Sequence, residues 1–182
     1  KGLFYDIDPM GDSVSLKIKG LQGKERCGLV LKDFSTRMTV SDSSAHLDNL
    51  HFNTAGSAVD GFLSFYYGSP DDIADDFVHL VTMDGHFSNS VIEMGDIAYF
   101  APALLGIRKK VLLTGDIKGT VEHLKCKNVD ILFGEKSHLA GNFSFNGLPH
   151  IQETDMNFRI REAKTNKKDL EGIPIAPFGQ GK

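Results

Sequence analysis

Several features are missing from this sequence, and each absence narrows the classes of protein to which it can belong. Tryptophan does not occur, and there are only two cysteines among 182 residues, with no spacing that suggests a metal site. Acidic residues outnumber basic ones by 24 to 20, so the chain lacks the basic excess of a nucleic-acid-binding domain. No apolar run approaches the roughly 18–20 residues of a transmembrane helix.

Catalytic signatures are also missing. The sequence has neither a G-x-S-x-G elbow nor an H-E-x-x-H pair. Its seven histidines fall mostly on polar positions or turns, which predicts solvated or locally hydrogen-bonded side chains. They are His46, His51, His79, His86, His123, His138 and His150. The chain is therefore predicted to be neither an enzyme nor a cofactor or metal carrier.

The two cysteines and one group of aspartates each permit two interpretations. Cys27 and Cys126 each lie among alternating apolar positions, which favours two buried thiols, although an oxidising compartment would permit a disulfide between them. Alternation places Cys126 on the opposite side of its strand from the flanking lysines. The four aspartates between Asp71 and Asp76 lack the ligand spacing of an EF-hand, so helix N-terminal charge is the favoured interpretation.

Strict alternation of apolar and polar residues dominates the stretch from Val111 to Phe145. Val111, Leu113, Gly115, Ile117, Gly119 and Val121 fall on one side of an extended chain. The pattern returns at residues 129–133 and 139–145. A period of two predicts strands with one apolar and one polar side, here three strands of a meander.

Alternation also predicts strands over most of the remaining chain, including a short edge strand at residues 3–8. A turn is expected near Asp33–Ser35. The parity of the apolar positions changes at Asp48–Asn49, which indicates a bend, bulge or turn because a slip of one residue reverses every side chain. In total, nine to eleven strands are expected, without βαβ units.

Two short helices are predicted, and a third is possible. Ser69 as N-cap and Pro70 as first helical residue predict a helix to about Val81. Asp96 as N-cap predicts a second, apolar helix that ends by Gly106. Lys167–Ile173 is expected to form one helical turn.

Glycines and a loose repeat add detail to the predicted sheet. Glycines 61, 115, 119 and 141 lie on the apolar side, where the missing bulk permits curvature. Residues 46–65 and 123–145 share a common plan, which suggests an array of strands stacked edge to edge.

The fold class predicted is mainly β, an antiparallel meander curled into a U-shaped groove with two or three short helices. We interpret residues 1–182 as one β-rich segment of a longer chain.

A family resemblance lies mainly within residues 58–173. The motifs are "L-x-G-x-I-x-G-T-V" at Leu113–Val121, "L-x-G-N-F-x-F-x-G-L-P" at Leu139–Pro149 and "E-T-D-M-N-F" at Glu153–Phe158. Thr165, "D-L-E-G-I" at Asp169–Ile173, "DDFVHLV" at Asp75–Val81 and "DIAYFAPAL" at Asp96–Leu104 extend the match. Together they resemble the TamB-like envelope proteins of the AsmA superfamily, in their Bacteroidetes-type form.

The resemblance implies a periplasmic location, with the parent chain anchored in the inner membrane. It implies an apolar β-groove that takes part in phospholipid transport and outer-membrane assembly, with an outer-membrane β-barrel partner bound through regions outside this segment. Nucleic acid is not an expected partner.

The apolar side of the sheet is the predicted site. The residues expected to line a groove for phospholipid acyl chains are Leu113, Ile117, Val121, Ile131, Phe133, Leu139, Phe143, Phe145, Phe158 and Ile160. The alternative is a closed β-sandwich, a structural or interaction scaffold for outer-membrane protein assembly that binds no lipid.

Overall fold

A computed structural model describes residues 1–24, 28–97 and 109–171. Its strands are β1 (Leu3–Met10), β2 (Ser13–Lys19), β3 (Gly23–Lys24), β4 (Val30–Leu31), β5 (Asp33–Ser41), β6 (Ser44–Asn53), β7 (Ala58–Tyr66), β8 (Thr82–Glu93), β9 (Lys110–Gly119), β10 (His123–Phe133), β11 (Ser137–Asn146) and β12 (Asp155–Lys164). Its helices are α1 (Asp72–Asp75), α2 (Phe77–Leu80), α3 (Met94–Ile97) and α4 (Lys167–Glu171), with a 3₁₀ turn at Ile151–Glu153.

Ten of the strands form one antiparallel sheet in the order β1-β2-β5-β6-β7-β8-β9-β10-β11-β12. Each strand pairs with the sheet strands adjacent to it in the chain, and β1 and β12 form the two edges, which confirms the mainly β meander. Strands β3 and β4 form a separate two-stranded ribbon. No other sheet occurs in residues 1–24, 28–97 and 109–171, so a second large sheet does not cover the first.

The strand register aligns the apolar positions of all these strands on one face, which we call the apolar face. Ile117 lies opposite Cys126, which lies opposite Phe143, and Phe143 lies opposite Phe158. In the other direction Ile117 lies opposite Gly85 of β8. The row continues from Gly85 through Leu63, Leu47, Met38 and Leu16. Directly opposed residues point to the same side, so one row crosses the sheet.

A line of β-bulges also crosses the sheet. Strands β1, β6, β8 and β10 each shift register around a residue with positive φ. These residues are Asp6, Asn49, Asn89 and Asn128, with φ of 51°, 51°, 45° and 51°. Asn and Asp enter this left-handed region most readily among residues with a side chain. The parity change predicted at Asp48–Asn49 is therefore confirmed as a bulge.

Glycines on the neighbouring strands lie beside these bulges. Gly61 faces Leu50 across the β6 bulge and Gly141 faces Val129 across the β10 bulge. A Cβ at Gly61 would lie 1.8 Å from the carbonyl oxygen of His86. The glycines predicted on the apolar side thus occupy places where backbones approach too closely for a side chain.

The first predicted helix is broken into two. It begins at Asp72 rather than at Pro70, and the Asp72 carboxylate accepts the backbone N–H groups of Gly68 and Ser69 at 2.8 and 3.0 Å. Asp76 has a non-helical backbone, and its carboxylate accepts the N–H of His79 at the start of α2. A second N-cap inside the predicted helix therefore ends α1 and starts α2.

Asp96 is not the N-cap of the second helix, because α3 begins earlier, at Met94. Its carboxylate instead accepts the hydroxyls of Thr54 and Ser57 at 2.5 and 2.6 Å, which attaches α3 to the β6–β7 turn. The remainder of that predicted helix falls on residues 98–108, outside the described residues. The predicted helical turn after Lys167 is confirmed as α4.

Two strand boundaries also differ from the predictions. Asp33–Ser35, expected as a turn, lies inside β5, where Asp33 and Ser35 pair with Asn53 and His51. Strand β9 ends at Gly119, so Val121 lies in the β9–β10 turn rather than on the strand. A Cβ at Gly119 would approach the His123 carbonyl oxygen to 2.1 Å, which shows how tightly the chain reverses there.

The core is small and lies at one end of the sheet. Val81 is fully buried and packs with Ala45 and Tyr67, and Phe77 of α2 covers them from the side. The Phe65 and Phe77 rings meet edge to face at 5.7 Å. The short helices therefore cover an end of the sheet and leave most of its apolar face without a second layer of secondary structure.

Candidate functional site

Nine of the ten predicted lining residues lie on the apolar face. Leu113, Ile131 and Leu139 stand in one row across β9, β10 and β11. The others on this face are Ile117, Phe133, Phe143, Phe145, Phe158 and Ile160. The exception is Val121, which the β9–β10 turn removes from the row.

An aromatic cluster marks the end of this face at β12. The ring of Phe158 meets Phe143 edge to face at 5.2 Å and Phe145 at 5.9 Å. These separations are within the favourable range for aromatic pairs. The alternation of β11 and β12 brings the three rings together, because each strand places every second residue on the same side.

Exposure rises across the face toward the edge strand. Phe143 and Val129 are buried, whereas Met156, Phe158 and Ile160 of β12 remain 43, 50 and 54% exposed. A large exposed apolar patch at the edge of a sheet is unusual and marks an interaction site or an aggregation hazard.

The apolar face extends well beyond the residues predicted for it. Its half on strands β2–β8 carries Leu16, Met38, Leu47, Leu63, Phe65 and Met83. The sequence could have predicted these residues, because they follow the same alternation of apolar and polar positions. The prediction concentrated on the later strands, where the family motifs lie.

Some polar groups interrupt the apolar face. Ser90 is fully buried beside Leu113, and its hydroxyl donates to the carbonyl of Asp60 at 3.2 Å. Cys126 has a free thiol, half-buried on this face, and burial raises its pKa to about 11. The thiol is therefore neutral and poorly nucleophilic near pH 7. Cys27, for which two buried thiols were favoured and a disulfide with Cys126 was left open, lies outside the described residues.

The opposite side, the polar face, carries most of the histidines in contact with acids. Nδ1 of His51 lies 2.6 Å from Asp60, and Nδ1 of His86 lies 2.7 Å from Asp116. Hydrogen bonds from Asn128 and His86 lower the pKa of Asp116. The prediction of locally hydrogen-bonded histidines is confirmed for these two.

Two more histidines make similar contacts. His138 lies 3.1 Å from Asp130, and that hydrogen bond raises the pKa of His138. The hydrogen bond of His79 to Asp76 raises the pKa of His79 in the same way. Across the described ranges no three His, Cys, Asp or Glu side chains converge as metal ligands.

Comparison of the chain with protein-family models, curated proteins and solved structures yields no match. In the described ranges no helix is both long enough and apolar enough to cross a membrane.

Proposed function

We propose that the chain is a non-catalytic lipid-binding segment whose apolar face holds the acyl chains of phospholipids. The observation that carries this proposal is the continuous apolar face, which crosses ten strands without a second large sheet over it in the described residues. Each methylene that an acyl chain buries against such a face contributes about 0.8 kcal/mol.

The repetition of the face suits transport as well as binding. At about 4.8 Å per strand, ten strands extend over roughly 43 Å. Successive strands present similar apolar rows, so a lipid that moves from one to the next exchanges nearly equal contacts. No bond is made or broken, and the proposal therefore needs neither catalytic residues nor a cofactor.

The line of bulges supports the more detailed proposal of a U-shaped groove. Each bulge bends its strand and increases the local twist. Bulges at Asp6, Asn49, Asn89 and Asn128 follow one line across the sheet, and bends aligned in this way would fold the two halves of the strands toward each other. The apolar face would then line the inside of a trough.

The biological setting of the proposal rests on the resemblance to TamB-like proteins. On this basis the proposed location is the periplasm, with the chain as part of a parent protein anchored in the inner membrane. Phospholipid is the proposed cargo, and an outer-membrane β-barrel is the proposed partner through regions beyond this segment.

A scaffold that binds no lipid is the second candidate. The observation in its favour is β12, an edge strand in which all ten residues are exposed. An exposed edge offers unpaired backbone groups on which another strand can dock. In this alternative the apolar face at the edge is covered by protein rather than by lipid.

Site-specific photocrosslinking separates the two candidates. Phe158 and Lys164 both belong to β12, and the register places them on opposite faces, since Phe158 lies opposite Phe143 and Lys164 lies opposite His138. With a photocrosslinking residue at either position, we expect lipid to be captured in cells from position 158 and not from position 164. Capture of protein alone at position 158 would favour the scaffold. Equal lipid capture at both positions would contradict binding at the apolar face.

Native mass spectrometry of the purified chain gives an independent readout. Co-purifying phospholipid that is lost when Phe158 is replaced by Glu, and retained when the exposed Lys164 is replaced by Glu, supports the proposal. A chain that never carries phospholipid, although it is folded by circular dichroism, would argue against it.

A further inference from the structure

The polar face has a concavity of its own, between strands β10, β11 and β12. Its volume is about 410 Å³. The polar side chains that line it are Lys125, Lys127, Asn142, Ser144, Asn157 and Arg159. Cys126 and Phe143 also line it, although the strand register directs their side chains, like those of the other residues proposed to bind acyl chains, to the other side of the same strands.

The strand register explains why these side chains lie together. Lys125 lies opposite Ser144, which lies opposite Asn157. Asn142 lies opposite Arg159 in the next row along the strands, on the same side as Lys127. Two adjacent rows on three neighbouring strands therefore carry three cations and three neutral hydrogen-bonding groups on one side.

The cations of this concavity have no carboxylate partner. Elsewhere on the polar face Lys118 lies 2.9 Å from Asp84 and Lys17 lies 2.5 Å from Asp6. Among the described residues, no acid lies within ion-pair distance of Lys125, Lys127 or Arg159. A chain with a net charge of −4 thus has a local excess of positive charge at this point.

The nearest acid beside Lys127 already has other partners. Asp116 accepts the side-chain amide of Asn128 at 2.9 Å and lies 2.7 Å from Nδ1 of His86. Lys127 only adds to the effects that lower the pKa of Asp116. The Lys127 ammonium is therefore free to meet a ligand.

The neutral groups are arranged to donate. The backbone N–H of Asn128 donates to Oδ1 of Asn142 at 2.9 Å. This contact occupies the acceptor of that amide and leaves its NH₂ group available. In the described part of the chain, Ser144 and the Asn157 amide make no side-chain hydrogen bond. Two side-chain amides, of Asn142 and Asn157, and the Ser144 hydroxyl are thus available beside the three cations.

We propose that this concavity binds a phosphate group. A phosphate offers several oxygens at once, which suits a guanidinium, two ammonium groups and three neutral donors better than the two oxygens of a carboxylate. Arg159 binds two of the oxygens, and Lys125 and Lys127 neutralise the charge. This proposal does not depend on acyl-chain binding, because the two sites lie on opposite faces.

The phosphate can be carried by a soluble monoester or by the headgroup of an anionic phospholipid at a membrane surface. The concavity is open to solvent on the polar face, so both can approach it. Their recognition by Arg159 and the two lysines has the same chemistry, and the test distinguishes the two sources.

The experiment is a titration of the isotope-labelled chain followed by amide NMR, with inorganic phosphate, glycerol 3-phosphate and vesicles. The vesicles contain either phosphatidylcholine alone or phosphatidylcholine with phosphatidylglycerol. We expect saturable shifts at residues 125, 127, 142 and 159. Soluble ligands that suffice identify a free phosphate site, and a response to phosphatidylglycerol vesicles alone identifies a headgroup site.

A matched pair of variants tests the assignment. Arg161 is an exposed residue of the same strand and does not line the concavity. We expect Arg159→Gln to weaken binding by about tenfold, as loss of a charge-assisted contact does, and Arg161→Gln to leave it nearly unchanged. Equal weakening by both variants would reduce the effect to general charge attraction and overturn the proposal. Absence of saturable binding to every ligand and vesicle would overturn it as well.

Discussion

At the residue scale, single side chains hold this thin structure together. Asp169 of α4 is the best example, since its buried carboxylate accepts Ser137 Oγ at 2.6 Å, the Glu135 N–H at 3.0 Å and the Asn166 amide at 2.7 Å. These hydrogen bonds, led by that of Ser137, lower its pKa to about 2. Asp169 thereby fixes α4 to the β10–β11 turn. The residue belongs to the "D-L-E-G-I" motif, whose structural role the sequence did not disclose.

The lowered pKa makes a prediction about pH. A carboxyl group whose pKa is depressed in the folded state stabilises the fold above its unfolded pKa, near 4, and this contribution disappears as the pH falls toward 2. We expect Asp169→Asn to unfold at lower urea concentration than the wild type at pH 7. The difference should shrink between about pH 4 and pH 2. A difference independent of pH would contradict the role of the charged carboxylate.

At the scale of elements, bulges and the glycines beside them shape the strands. The free N–H groups that a bulge creates find side-chain acceptors on the next strand. The N–H of Asn89 donates to Thr114 Oγ1 at 3.0 Å, and that of Asn128 donates to Asn142 at 2.9 Å. Because their N–H groups are satisfied in this way, the bulges of β8 and β10 cost little. The loose sequence repeat between residues 46–65 and 123–145 corresponds to two hairpins that share this plan.

A substitution at Gly61 tests whether the close approach of strands beside a bulge is important for stability. The φ of Gly61 is +152°, and a Cβ there would lie 1.8 Å from the His86 carbonyl oxygen. Gly61→Ala must therefore separate β7 from β8 locally, and we expect a loss of about 1–3 kcal/mol in the free energy of unfolding. Gly95→Ala in α3 is the control, because among the described residues no atom outside its own helix and chain neighbours lies within 4 Å of the added Cβ. Similar stabilities of the two variants, measured by urea denaturation, would refute the close-approach explanation.

At the scale of the whole molecule, the single-layer sheet determines how much a charged substitution on the apolar face destabilises the fold. A charge in a closed core costs several kcal/mol because it is removed from water without a partner. Ile117 lies at the centre of the face and is only partly buried. A charge there can therefore remain hydrated while it disrupts binding of an apolar ligand.

We expect Ile117→Asp to retain the β-sheet circular dichroism spectrum and to lose co-purifying phospholipid. The control is Leu132→Asp on the polar face, where Leu132 is 45% exposed. This variant should retain both the fold and the lipid. Unfolding of Ile117→Asp, with Leu132→Asp intact, would indicate a closed apolar core and favour the scaffold.

The amino-acid sequence was sufficient to predict a mainly β antiparallel meander and the side of each strand on which the apolar residues lie. These properties depend on the alternation of apolar and polar residues along each strand. Leu113, Ile131 and Phe143 are examples of the apolar positions. The bulge at Asn49 was predictable for the same reason, because a slip in parity is a local signal. For the same reason, nine of the ten residues predicted to bind lipid share one face, while lipid binding itself stays a prediction.

Only the tertiary structure decided the features that depend on neighbouring strands. Val121 continues the alternation perfectly, yet the chain has already turned at Gly119 to bring β10 beside β9. Asp76 interrupts a helical pattern because its side chain finds the N–H of His79. Lys125, Lys127 and Arg159 are separated by up to 34 positions in the sequence, and only the register of three strands gathers them around one concavity. Contacts of this kind join residues that are far apart in the sequence, and a local sequence pattern does not predict them.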